Sequence, residues 1–470
     1  MRICIVGAGN IGVASAVDLS LKHSVVLLSK KADLPNEFIR IDYDKTIKSN
    51  TIKTTNNAKE ALCNADIVFV TLPSFLIDDF LRANETYFAP PQHSATQQQK
   101  IIIYATGYGS KELFSKRLID KGVVVASLSR VPYVARLHSK DSVYGYKKPQ
   151  IACSAINGDT AKICKIAEEI FEIPCECVEN YLSISLTPSN PILHTSRLYA
   201  LFRDKTAFKS QIKFYASWDD FSSQILIDLD RELEKIAENF GINHTTIRTH
   251  YNAHSVESLT AKISSITSLK NIESPLKKCD DVYVIDKDSR YFSEDFPFGL
   301  CVLRGFAEIA QVETPTMDKV LQWYQGLFGV EYFDENGVFN GKDLDKSGIP
   351  QNFGLRTKSD IIKFYAIQNF FWGGAVSLFA KKSDLINDNI FAEFRRSENI
   401  KTAEYLKDSN DSAEYSDKID CHAKPNGLSR NDDNGVFLHK KTQNLAITSI
   451  LADFKDIKLA WCLKGISYIA

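Results

Sequence analysis

The chain has 470 residues, 44% of them hydrophobic and 11% aromatic, enough to fill the cores of two or three globular domains. Its 57 Lys plus Arg against 58 Asp plus Glu leave a formal charge of −1, which excludes a global field for nucleic acid or an anionic membrane and favours small-molecule partners. The N-terminus enters an apolar strand directly, with no basic segment and signal-like run before it, so a cytoplasmic location is expected.

That strand, Met1-Arg-Ile-Cys-Ile-Val6, runs straight into Gly7-Ala8-Gly9-Asn10-Ile11-Gly12, and a helical pattern through Val13, Ala16, Val17 and Leu19 follows. Strand, glycine loop and helix together form the context a dinucleotide site requires. Gly7 permits the tight turn, Gly9 lets the backbone approach a pyrophosphate, and Gly12 lets the helix pack on the strand. The helix N-terminus, at Asn10 and Ile11, attracts the phosphates.

Further along the chain, Ser24–Leu28, Ala65–Leu72, Lys100–Tyr104 and Gly122–Ala126 are apolar strand-like runs separated by helical spacings. Continuous apolar strands alternating with helices predict a doubly wound parallel sheet, a Rossmann arrangement, with its ligand at the carboxyl ends of the strands. Leu72-Pro73-Ser74 and Gly107-Tyr108-Gly109 sit at such ends and are expected to line the crevice. An acidic residue after the second strand would grip the adenosine ribose hydroxyls. Here Leu28-Ser29-Lys30-Lys31 occupies that place. Ser29 has no charge to repel a 2′-phosphate and Lys30 or Lys31 is suited to pair with one, so NADPH is favoured over NADH; the plainer reading is a solvated turn.

A strand from Gln150, a helix from Asp159 to Phe171 and a segment from Cys175 to Ile184 are expected to complete the sheet, ending a first domain at about 185. Residues 184–202, 219–240, 300–312 and 318–327 then carry apolar residues at three-to-four spacing, which predicts a mainly helical domain over 186–355. The remaining 356–470 form an extension of uncertain structure. Within it Ile361 to Ala380 is long and apolar, but Lys363, Gln368, Asn369 and Gly373-Gly374 interrupt it, favouring a buried helix or hairpin over a membrane span. Residues 401–435, rich in Asp, Asn, Ser and Lys, are expected to be flexible. The 10 cysteines lack CxxC spacing, and neither a metal site nor a disulfide framework is expected.

At the junction of the two domains stands Ser185-Leu-Thr-Pro-Ser189-Asn190-Pro191-Ile-Leu-His194. Asn190 suits an N-cap and Pro191 the first helical position, which sets His194 about one turn into a new helix. A helix N-terminus disfavours an imidazolium, so a catalytic histidine there needs a carboxylate beside it. A second polar loop, Ser289-Arg290-Tyr291-Phe-Ser-Glu294-Asp295-Phe-Pro297, offers two acids and a cation. Helix capping by Glu294 or Asp295 explains it equally well, and spacing alone does not bring Asp295 to His194.

Over roughly residues 1–354 the chain resembles the opine dehydrogenases, the octopine and nopaline dehydrogenase family. The resemblance rests on the glycine loop, Asn190-Pro191-x-x-His194, Arg290-Tyr291-x-x-Glu294-Asp295-x-Pro297-x-Gly299-Leu300, Thr314-Pro315-Thr316, and Gly337 through Gly354. It implies a nucleotide domain followed by a helical domain, and NAD(P)H-dependent joining of an amino acid to a 2-oxo acid. It also implies that His194 and Asp295 form a catalytic dyad and that Arg290, with Asn190 nearby, binds substrate. The segment Ser129 to Arg136 matches loosely, leaving the amino-acid partner open; Arg130 or Arg136 is a candidate for a second carboxylate. No oligomeric state follows, a homodimer being one option.

Two other readings stand beside this one. The long-chain polyol dehydrogenases share the Asn-x-x-x-His pattern but need a Lys five residues before the Asn, where this chain has Ser185; a simple hydroxy-acid or polyol dehydrogenase is thereby weakened. A non-catalytic NAD(P)-binding sensor or scaffold is the other, since a fold does not fix a function.

Overall fold

The computed structural model describes residues 1–31, 33–43, 45–88 and 100–366. The chain divides into two units, 1–371 and 372–470; the second unit, the expected flexible stretch at 401–435 and most of the apolar run at 361–380 lie outside the described residues. Among the described residues no helix is long and apolar enough to cross a membrane.

Fifteen strands are described: β1 (Arg2–Val6), β2 (Ser24–Leu28), β3 (Phe38–Asp42), β4 (Lys45–Ser49), β5 (Lys53–Thr55), β6 (Ile67–Val70), β7 (Ile101–Tyr104), β8 (Val124–Leu128), β9 (Tyr133–Leu137), β10 (Ser142–Lys147), β11 (Ile151–Ile156), β12 (Cys175–Cys177), β13 (Ala207–Phe208), β14 (Leu276–Cys279) and β15 (Val282–Ile285). The predicted apolar strands are β1, β2, β6, β7 and β8. With β5 they run parallel in the order β8-β7-β6-β1-β2-β5. Helices on both faces keep them dry: Cys4, Val68, Ile102 and Val125 point into one core, Ile3, Ile5, Phe69 and Ile103 into the other.

Strand direction is not written in hydrophobic spacing, and at one edge it differs from the simple expectation. β11 joins β8 antiparallel, Cys153 opposite Leu128, and β12 pairs parallel with β11. The chain turns back through β9 and β10 before β11, so β11 enters the sheet from the opposite end. Only Cys175–Cys177 of the segment 175–184 is a strand; Tyr181–Ser185 is already helical. A second sheet, β4-β3-β10-β9, covers the first helix α1 (Asn10–Ser20). Sequence reading missed it because its strands are short and half-exposed. Its anchor is Arg40, buried and held by Asp18 at 2.6 Å and Asp42 at 2.7 Å, with Tyr133 Oη donating to the same Asp18 at 3.1 Å.

After α2 (Thr160–Phe171) the architecture becomes helical. Its frame is α3 (Asn190–Phe202), α4 (Asp220–Phe240), α5 (Cys301–Ala310) and α6 (Pro315–Phe328), beside the small sheet β13-β15-β14. Asp219 caps α4 by accepting from Ser222 N at 2.8 Å, and Gly241, at φ +69°, ends it in the left-handed conformation. The helix Lys358–Phe364 packs on this body: Ile361 is buried and Tyr365 Oη donates to the buried Glu112 at 2.6 Å. Glu112 also accepts from Ser185 Oγ at 2.6 Å. Burial raises its pKa, which favours the neutral acid in this apolar setting.

Candidate functional site

The glycine loop turns as its residue types require. Gly7 has φ +107°, and a Cβ there would meet Thr71 Oγ1 at 2.8 Å. At Gly12 a Cβ would lie 1.8 Å from the Gly7 carbonyl oxygen, so only glycine lets α1 start this close to β1. Gly9 differs: a Cβ there meets nothing within 4 Å. The chain itself leaves that space at the N-cap of α1, whose first-turn N–H groups a helix cannot satisfy internally. The donor set fits a pyrophosphate. Leu72 and Pro73 follow β6 at the same edge of the sheet, with Leu72 Cδ2 3.3 Å from the Cβ position of Gly7. Asn10 uses its side-chain oxygen to accept from Leu137 N at 2.9 Å, tying the helix start to β9.

Ser29 is buried after β2, and its hydroxyl accepts from Lys31 N at 3.1 Å. Lys31 then reaches back and donates to the carbonyl of Ala8 at 2.8 Å. Lys30 is exposed and has no partner among the described residues. Of the two lysines, Lys31 braces the glycine loop and Lys30 faces solvent.

Helix α3 carries the second half of the site. Its N-cap is Ser189, not Asn190. Asn190 instead spends its amide on Tyr108 Oη at 2.8 Å, drawing in the loop Gly107-Tyr108-Gly109. His194 lies in the second turn and is 8% exposed. Its Nδ1 is 2.8 Å from Asp295 Oδ2 and its Nε2 is 2.8 Å from Tyr215 Oη. The segments 190–194 and 290–295 therefore meet, across 101 residues of sequence. Asp295 stands at the cap position of the π-helical turn Phe296–Leu300 without capping it by its side chain. Burial raises its pKa, opposed by the neighbouring His194.

Tyr215 was not foreseen. It lies in the irregular stretch between α3 and α4, where no periodicity singles it out, and Arg197 accounts for its position. Arg197 is one turn after His194 on α3 and 1% exposed. Its guanidinium donates to Phe214 O at 3.0 Å, Asp219 at 2.7 Å and Ser222 Oγ at 3.0 Å. These bonds pin the stretch that presents Tyr215 to His194. Tyr291 completes the wall, stacking on Phe214 at 4.8 Å and meeting the His194 ring edge-on at 4.6 Å.

Arg290 reaches Glu294 through Nη2 at 2.5 Å and Nε at 3.2 Å, and Glu294 also accepts from Ser74 N at 3.1 Å. Glu294 thus joins the edge of the nucleotide crevice to the loop bearing Arg290. Arg290, Asn190, His194, Tyr291 and Asp295 border one cavity of about 720 Å³. Beneath the crevice Lys111 is buried, donates to Thr106 Oγ1 at 2.9 Å, and has its pKa pushed down to about 8 by burial. Ser185 stays in the interior with Glu112, away from His194. Arg130 donates to Pro188 O at 2.8 Å and borders a second cavity. Among the described residues no cluster of three or more His, Cys, Asp or Glu is arranged to hold a metal ion.

Comparison with known proteins matches residues 177–328 to the alpha-helical domain of NAD/NADP octopine/nopaline dehydrogenases and residues 3–137 to ketopantoate reductase (PanE/ApbA). The chain is 26% identical to tauropine dehydrogenase of Arabella iricolor over 70% of its own length and 88% of that protein's. It is 23% identical to octopine dehydrogenase of Pecten maximus over 77% of its own length and 98% of that protein's. Octopine dehydrogenase with NADH and L-arginine shares the fold, with TM-score 0.66 and 22% identity over 79% of this chain and 99% of that one. NADP+-bound yersinopine dehydrogenase does so more distantly, with TM-score 0.52 and 14% identity over 69% of this chain and 90% of that one. Across its nucleotide domain and its helical domain with the His194 segment, the chain is similar to the opine dehydrogenases, which supports an opine dehydrogenase-type, NAD(P)-dependent oxidoreductase.

Proposed function

We propose that this chain catalyses the reductive condensation of an amino acid with a 2-oxo acid. The observation that carries the reading is His194, held between Asp295 and Tyr215 on the wall of a cavity that also reaches Arg290. The amine and the 2-oxo acid lose water to form an imine, and bound NAD(P)H supplies the hydride that reduces the imine carbon. His194 is the proton donor and acceptor. Asp295 accepts a hydrogen bond from Nδ1–H, fixes the tautomer and stabilises the imidazolium, while Nε2 serves substrate in place of Tyr215. Arg290 binds the carboxylate of the 2-oxo acid through the part of its fork that Glu294 leaves free. Asn190 orients substrate at the same edge.

Gly7, Gly9, Asn10, Ile11, Gly12, Leu72 and Pro73 hold the dinucleotide. Ser29 and Lys30 favour NADPH: the serine hydroxyl admits a 2′-phosphate and the unpaired Lys30 ammonium pairs with it. Octopine dehydrogenase has been solved with NADH and yersinopine dehydrogenase with NADP+, so the choice is set by each chain's own residues. Lys30→Ala is expected to raise the Kd of NADPH about tenfold, the value of one charge-assisted contact, and to leave that of NADH unchanged. Equal effects on both would remove Lys30 from the account.

The reaction reading is tested by NADPH oxidation at 340 nm with 2-oxo acids and amino acids in pairwise pools. The expected rate requires both partners. A rate with a 2-oxo acid alone would indicate a simple hydroxy-acid dehydrogenase.

A further inference from the structure

Two substrates that each carry an acid group need two cationic contacts, and Arg290 is one. The charged groups around the cavity show which is the other. Asp295 is bonded to His194 at 2.8 Å, Glu294 to Arg290 at 2.5 Å, and Glu273 to Lys213 at 2.9 Å. Arg136 also borders this cavity, and its side chain has no ion pair or hydrogen bond among the described residues. It is thus the lining cation whose charge is not already met by a neighbouring acid. Its place is set by backbone: it lies on β9 opposite Tyr144 of β10, and the next residue, Leu137, donates to Asn10 at 2.9 Å. The second sheet therefore delivers a cation from the nucleotide domain to the cavity that Arg290 also borders. Its charge acts on Tyr215 and Tyr291, opposing the burial that raises both phenols, so it lies near the wall that holds His194.

We propose that Arg136 is the specificity residue for the amine partner, binding the carboxylate or sulfonate of that substrate while Arg290 binds the 2-oxo acid. The inference rests on the condensation reading above and assigns one residue to the acid group that the amine partner carries near its nitrogen. The guanidinium forms a bidentate contact in the ground state and the transition state alike, so it acts on KM rather than on kcat.

The test uses the full chain as wild type, Arg136→Gln and Arg136→Lys. Steady-state rates are measured with one 2-oxo acid and three amines: an α-amino acid, an aminosulfonate, and the amino alcohol with the skeleton of the amino acid. Wild type is expected to favour the acids over the amino alcohol by about a hundredfold in kcat/KM, and Arg136→Gln by less than about fivefold, through a KM for the acids raised about thirtyfold. Arg136→Lys should recover part of the loss. The KM of the 2-oxo acid, and the Kd of NADPH read by its fluorescence, should stay within about twofold of wild type. A raised NADPH Kd with unchanged amine preference would make Arg136 a pyrophosphate contact and overturn the proposal, as would a variant with wild-type KM for every amine. If wild type forms no condensation product with any pair, the underlying reading fails and this one falls with it; an active wild type with an indifferent Arg136→Gln fails this one alone.

Discussion

Replacing His194 by Ala is expected to lower kcat for condensation by about three orders of magnitude, within the usual range for loss of a general acid–base group, and to leave the Kd of NAD(P)H within about twofold. The separation follows from the structure, because His194 lies on α3 and bonds to Asp295 and Tyr215, none of which belongs to the glycine loop. Asp295→Asn should cost a similar amount for a different reason. The amide preserves the shape and can still bond to Nδ1, but it does not stabilise an imidazolium. The two losses should not add, since both disable one unit.

Stability should move the other way. The carboxyl of Asp295 has its pKa raised by burial, so the folded chain holds that proton more tightly than the unfolded chain does. Its contribution to stability is greatest at pH below the ordinary carboxylate value and is lost as pH rises through the raised folded value. Asp295→Asn removes this loss, and its Tm at neutral pH should be no lower than that of wild type. The same shift places the acid limb of kcat/KM above the ordinary carboxylate range and removes that limb in the variant. A wild-type acid limb at ordinary carboxylate pH would contradict this assignment.

The glycine loop yields the second large effect, and Gly12 and Gly9 should differ in whether stability is lost along with cofactor binding. Gly12→Ala sets a Cβ 1.8 Å from a backbone oxygen. Nothing flexible is available to move, so a loss of about 3 kcal/mol in stability is expected, with NAD(P)H binding lost as a consequence. Gly9→Ala meets no atom within 4 Å and keeps an allowed extended conformation, with φ −98° and ψ −168°. Its Tm should match wild type, yet the Kd of NAD(P)H should rise about a hundredfold, because the methyl group fills the space the pyrophosphate needs. Thermal melts with and without NADPH separate the two. Cofactor should stabilise wild type and not Gly9→Ala; equal protection of both would move the phosphate site away from this loop.

What the sequence made readable follows from the range over which each feature acts. The glycine loop is a local motif, and β1, β2, β6, β7 and β8 are continuous apolar runs, so both are visible without tertiary information. The sheet β4-β3-β10-β9 is not, because strands such as Tyr133–Leu137 are half-exposed and carry no run of apolar residues. The direction of β11 depends on how the preceding hairpin packs. Residues 190–194 and 290–295 were visible as polar loops feeding helices, but their meeting was implied only by family resemblance. Tyr215 was invisible for the same reason that it is well placed: Arg197, one turn beyond His194, holds it by tertiary hydrogen bonds that leave no periodic trace. The Asn190 cap was misjudged because propensity does not know that Tyr108 is near enough to take the amide.

The central claim, that the hydride reduces an imine joining the two substrates, is tested most directly by the mass of the product. Wild type would be incubated with NADPH, a 2-oxo acid and an amino acid, and the mixture analysed by mass spectrometry. The expected product has the summed mass of both substrates less one water and plus two hydrogens, and it is absent with His194→Ala. A product equal to the 2-oxo acid plus two hydrogens, with the amino acid unchanged, would contradict the account.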